Sequence, residues 1–101
     1  MDYNNREEGE ILVIQLSGRL TFTDSQAFDN VLNAMENSNL GKCVFDFRDL
    51  EFIDSSGLSM LLLARDVAGT RNMDLIFRAA RGEVKDRLDF ARFNTIVAIE
   101  E

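Results

Sequence analysis

The run "KCVFDF", Lys42–Phe47, constrains this chain more than any other stretch. Its apolar residues are nearly continuous rather than alternating, and turn signals bound it on both sides, which suits a strand buried on both faces. A strand of that kind lies inside a sheet and reaches parallel neighbours through crossover helices. The flanking sequence supplies them. In "TDSQAFDNVLNAMENSNLG", Thr23 precedes Gln26 by three residues in a capping-box pattern, and Ala27, Phe28, Val31, Leu32 and Met35 share one face, predicting a helix over Asp24–Glu36. The stretch "GLSMLLLARDVAG", Gly57–Gly69, predicts a second helix that ends on a glycine suited to a C-cap.

Around this centre, Glu10–Leu16 predicts a strand with "SGRL" as a break after it, paired with a short strand around Met1–Arg6. A second apolar patch, Leu50–Ile53, leads into the second helix. Then "NMDLIFRA" predicts a strand, "GEVKDRLDFARF" a helix and "TIVAI" a last strand. Strands alternating with helices imply right-handed crossovers, hence an α/β fold with a mixed, mostly parallel sheet of four to five strands and three to four helices. At 101 residues and 46% hydrophobic content, with no linker or repeat, residues 1–101 are expected to form one domain.

Composition narrows the function. A net charge of −7 works against the phosphate contacts that supply most nucleic-acid affinity, so no nucleic-acid partner is expected. Histidine is absent, which removes the commonest general base, the usual partner of a nucleophilic serine and the commonest zinc ligand. No enzyme activity, metal or cofactor is expected. The polar opening "MDYNNREEGE" is unlike a signal segment, and no run of about 18 apolar residues exists, so the expectation is a cytoplasmic chain without membrane contact. Cys43, within the apolar run, is expected to be a small buried hydrophobe.

Two features remain. On a helical wheel Leu58, Leu61 and Leu62 fall on one side of the second helix and Met60, Leu63 and Val67 nearly opposite, so it is apolar almost all round. Such a helix is deeply buried or keeps one face for a partner. The other feature is "FIDSSGL", Phe52–Leu58, with two adjacent serines where a helix begins. Either serine suits a cap. A hydrolase nucleophile would need a G-x-S-x-G elbow and a histidine, and a P-loop would need a lysine and more glycines. A phosphoaccepting Asp46 or Asp49 would want an acidic pair after the first strand and a lysine after the last, where the chain has "QLSGRL" and "TIVAIEE" instead. A serine phosphorylated by another protein fits the helix N-terminus, whose free N–H groups and dipole favour a phosphate there.

These residues resemble a known family. The segment "KCVFDFRDLEFIDSSGLSMLLLARDVAG", with its D-x-x-x-x-D-S-S-G-L turn, is similar to the signature of STAS domains of the anti-sigma factor antagonist type. "LSGRL" resembles the family's G-x-L turn, and "VKDRLDFARFNTIVAI" its third helix and final strand. The resemblance implies a partner-switching regulator. The unphosphorylated antagonist would bind an anti-sigma factor or serine kinase with a histidine-kinase-like ATPase fold. Phosphorylation of the motif serine would release it, and a metal-dependent serine phosphatase would reset it. By position the acceptor is Ser55, with Ser56 as fallback. Thr21 stands where many relatives carry an acidic residue, and relatives often continue into a further helix beyond the position of Glu101. A constitutive interaction module in a larger signalling or transport-linked assembly, with the serines only capping a helix, is the alternative. The expected roles are Ser56 and Gly57 as cap and tight turn, and Asp54 as an orienting or partner-contacting carboxylate. Met60 and Leu63 are expected as apolar contacts, and Asp24 and Ser25 as helix-start residues beside the motif.

Overall fold

The strand predicted at Lys42–Phe47 does not stop there. In the computed structural model, which describes all 101 residues, β3 runs unbroken over Lys42–Ile53 and absorbs the second apolar patch. Two register shifts against its neighbour, at Gln15/Ser17 and Gly18/Arg19, make this possible. Each inserts an extra residue into β3, the β-bulge device that bends a strand without ending it. The neighbour β2, Ile11–Leu20, likewise continues through "SGRL", where Gly18 adopts φ 83° at a bulge, a conformation open to glycine. A break was expected there, and a bulge is found.

The remaining elements are β1 (Asp2–Glu8), α1 (Ser25–Glu36), α2 (Ser55–Thr70), β4 (Asp74–Arg78), α3 (Gly82–Phe90) and β5 (Ala98–Glu100). The five strands lie in the order β1-β2-β3-β4-β5, with β1 antiparallel to β2 and the other pairs parallel. Each parallel strand adds to the same side of its predecessor, so right-handed crossovers place all three helices on one face. The core follows that geometry. Leu12, Ile14, Leu16, Cys43, Phe45, Phe47, Leu75 and Phe77 meet α1 through Phe28, Val31 and Met35, α2 through Met60, Leu61, Ala64 and Ala68, and α3 through Val84 and Leu88. Phe77 stacks on Phe45 at 5.7 Å and meets Phe47 edge-on at 5.0 Å.

On the helix-free face Val13, Val44 and Ile76 form one register row and are buried between neighbouring strands. Beside them Asp46 is paired with Arg78 at 3.1 Å, so Cys43 to Phe47 is buried at every position, as its composition requires. The C-terminal third departs most from expectation. Helix α3 stops at Phe90 because Arg92 takes a left-handed conformation (φ 61°), Phe93–Thr95 form a 3-10 turn, and β5 starts only at Ala98. No helix is long and apolar enough to cross a membrane.

Candidate functional site

Strand β3 delivers Asp54 to the end of the sheet in an extended conformation, and α2 begins at the next residue. The helix cap is this carboxylate. One Asp54 oxygen accepts the Gly57 N–H at 2.8 Å, satisfying a donor of the first turn that no intrahelical carbonyl reaches. The other accepts the Phe22 N–H at 3.1 Å and so ties the turn after β2 to the start of α2. Ser56 was expected to cap, and it does not. Ser55 and Ser56 are already the first two helical residues, where side chains point outward and back rather than towards the first-turn amides. Ser55 is exposed and Ser56 half-buried, and neither hydroxyl has a hydrogen-bond partner in the chain; Ser59 instead donates to the Ser55 carbonyl at 3.2 Å.

Gly57 is likewise not a tight turn. It lies inside the helix, and a Cβ there would come within 2.6 Å of the Leu20 carbonyl oxygen and 2.7 Å of Ile53 Cγ1. The absent side chain lets the first turn of α2 settle onto the end of β2. That contact also explains why Asp54 reaches Phe22: the Asp54 N–H donates to the Leu20 carbonyl at 3.2 Å, holding the two strand ends together.

The start of α1 lies at the same end of the sheet. A 3-10 turn, Phe22–Asp24, precedes it, and Asp24 closes that turn by accepting the Thr21 N–H at 2.8 Å and the Met1 amino group at 2.8 Å. The capping box therefore spans Thr21 and Asp24 rather than Thr23 and Gln26. Burial raises the Asp24 carboxyl, but the Met1 ammonium and the Thr21 donors more than offset it and leave it below the ordinary carboxylate value. Ser25 is exposed at the first position of α1.

The all-apolar α2 resolves into two kinds of position. Gly57, Met60, Leu61, Ala64 and Ala68 form one buried stripe, so Met60 and Leu61 lie on the same side and not on opposite ones. Met60, expected as a partner contact, is only 7% exposed and belongs to the core. The sheet beneath α2 claims it because steps of three and four residues return to one side of a helix. Leu62 and Leu63 are left outside at 40% and 50% exposure, with Ser55 about two turns before them. Phe22, which sequence periodicity could not have singled out, is 72% exposed beside Asp54. No group of three or more His, Cys, Asp or Glu is arranged to hold a metal ion.

The sequence model of the STAS domain matches residues 2–101. The chain belongs to the STAS domain family. A STAS-domain containing protein of Pseudomonas aeruginosa is 33% identical to it over 92 residues, covering 91% of this chain and 90% of that protein. Among solved structures, an anti-sigma factor antagonist from Mycobacterium paratuberculosis superimposes with a TM-score of 0.87 at 15% identity, covering 98% of this STAS domain and 84% of that chain. The phosphorylated form of SpoIIAA, a Bacillus cell fate determinant, gives a TM-score of 0.71 at 16% identity, covering 97% and 90%. At such identities the shared property is the fold, an α/β domain of five strands and three helices with anti-sigma factor antagonists among its structural neighbours.

Proposed function

We propose that this STAS domain is an anti-sigma factor antagonist that works by partner switching, with Ser55 as the phosphoacceptor. Unmodified, it binds an anti-sigma factor or serine kinase with a histidine-kinase-like ATPase fold; phosphorylated, it lets go, and a metal-dependent serine phosphatase restores it. One observation carries this reading. Asp54 supplies the side-chain cap, leaving the Ser55 hydroxyl exposed and unpartnered at the first position of α2.

The chemistry is a phosphoryl transfer in which Ser55 Oγ attacks the γ-phosphorus of ATP, a new O–P bond forms and ADP departs with the bridging oxygen. The hydroxyl proton passes to a base on the kinase, since both Asp54 oxygens are engaged by backbone N–H groups. A phosphate at this helix N-terminus is favoured by about 0.3–1 kcal/mol, so the fold tolerates it. For a partner seated on Leu62, Leu63 and Ser55 the same group adds about −1.5 to −2 charges to a surface that must be desolvated. Modification therefore acts on binding rather than on folding.

The test is intact-mass measurement of wild type, Ser55→Ala and Ser56→Ala after incubation with ATP and the kinase partner. A single phosphate on wild type and Ser56→Ala, absent from Ser55→Ala, with weakened partner binding, supports the proposal. Loss of labelling in Ser56→Ala alone moves the acceptor to Ser56. Labelling of neither serine favours a constitutive interaction module.

A further inference from the structure

The most exposed large apolar side chain in the molecule lies outside the serine motif. Phe90, the last residue of α3, is 91% exposed and borders an open groove of about 370 Å³ between the start of α2 and the outer face of α3. Leu58 supplies the α2 side; Glu83, Asp86, Arg87, Phe90 and Ala91 supply the other. Leu58 follows Ser55 by three residues, one helical turn, so whatever occupies the groove lies beside the phosphoacceptor position.

The charges in the groove do not cancel. Glu83 and Arg87 pair at 3.2 Å, and the Arg87 guanidinium also lies 5.1 Å from the centre of the Phe52 ring, so these two charges offset each other, although Arg87 Nε is buried without a hydrogen-bond partner. Lys85, the other cation of the helix, is paired with Asp89 at 2.9 Å. Asp86 has neither an ion pair nor a hydrogen bond to its side chain. The groove thus offers two apolar walls and one uncompensated carboxylate, complementary to an apolar group that carries one positive charge next to it.

We propose that this groove is a docking site for a partner segment that bears an apolar side chain beside a lysine or arginine. The apolar side chain seats against Leu58 and Phe90, and the cation meets Asp86. The inference rests on the partner-switching reading only in identifying that partner with the protein that acts on Ser55. It adds a contact one turn along α2 from Ser55, and so gives the partner a hold on this chain beyond the switched residue itself.

The experiment titrates the isotope-labelled full chain with phenylethylammonium, an aromatic ring carrying a cation, and with phenylpropionate, its anionic counterpart, following backbone amide shifts. Saturable shifts at Leu58, Asp86, Phe90 and Ala91 are expected with the cation, and about two- to fivefold weaker binding with the anion, the effect of one charge contact at an exposed carboxylate. Asp86→Asn should remove the preference for the cation, and Phe90→Ser should weaken both ligands. Unchanged thermal unfolding in both variants shows that they fold. Equal response to the two ions in wild type, or shifts confined to other residues, overturns the proposal. So does a concentration-dependent dimer that Phe90→Ser dissolves, because a second copy would then own the groove. Ser55 labelling without groove shifts overturns the groove alone, whereas groove shifts without Ser55 labelling overturn the switch alone.

Discussion

The Asp54 carboxylate accepts the Phe22 N–H at 3.1 Å across 32 residues of chain while its other oxygen caps α2 through Gly57. One side chain thus fixes both the helix that presents Ser55 and the turn that presents the Phe22 ring. Losing a cap costs about 0.5–2 kcal/mol and losing a charged hydrogen bond somewhat more, partly recovered by water at this half-exposed site. Asp54→Ala is therefore expected to lower stability by about 1–3 kcal/mol in urea unfolding, with Asp54→Asn intermediate because its amide oxygen still accepts. A loss below about 0.5 kcal/mol for the alanine variant would show that the double contact has no weight.

At Gly57 two effects of opposite sign compete. Alanine in a helix interior is favoured over glycine by about 1 kcal/mol. Here, however, its Cβ would meet the Leu20 carbonyl oxygen at 2.6 Å, a backbone atom that cannot step aside without disturbing the end of β2. Gly57→Ala is expected to destabilise by about 1–3 kcal/mol net, measured by thermal or chemical unfolding. A stabilised variant would mean that the two backbones separate freely.

Along α2, Met60 and Leu63 separate stability from recognition. Met60→Ala empties a core position and should cost about 2–4 kcal/mol. Leu63→Ala, at a half-exposed position, should stay within about 0.5 kcal/mol of wild type. Under the proposed function Leu63→Ala weakens partner binding in calorimetric titration, whereas Met60→Ala acts only through folding.

Asp46 makes stability sensitive to acid. Burial raises its carboxyl, but the Arg48 N–H at 2.9 Å and the Arg78 guanidinium at 3.1 Å outweigh burial and hold it below the ordinary value. A depressed folded-state pKa contributes stability that is fully present above the unfolded pKa of about 4 and is lost as pH falls through the folded value. Asp46→Asn should flatten the stability profile over that acidic window. Arg78→Leu leaves the carboxylate buried without its cation; with the Arg78 side chain 31% exposed to screening solvent, about 1–3 kcal/mol of loss is expected at neutral pH.

Cys43 offers a clock for global opening. Burial pushes its thiol up to about 12, and the side chain lies in the core. Thiol reagents at mildly alkaline pH should label it no faster than the protein unfolds, so the rate should rise steeply across the urea transition. Fast labelling of the native chain would place Cys43 outside the core.

The elements recognised most directly in the sequence are those whose residues bury one face in a repeating pattern. The apolar positions of α1 return Phe28, Val31 and Met35 to the core, and continuous apolarity places Cys43–Phe47 inside the sheet. Bulges escaped for the opposite reason. Gly18 in isolation signals a break, and only its pairing partners in β3 keep β2 extended beyond it. The late start of β5 follows from the left-handed Arg92 and the 3-10 turn after it, neither of which has a periodic signature.

The motif "DSSGL" marks the place of the candidate site, and absent histidine, net negative charge and the strand–turn–helix order narrow its chemistry from sequence alone. These are properties of residue types and their spacing, which the chain carries in any conformation. Which residue caps, which serine is exposed, and which side of α2 is buried were decided only when β2, β3 and α2 met. A carboxylate has two oxygens for two amides, and the Leu20 backbone leaves room for nothing larger than Gly57; packing against the sheet then takes Met60 inside and leaves Leu63 out. Such assignments depend on distances between residues remote in sequence, and the tertiary fold sets those distances.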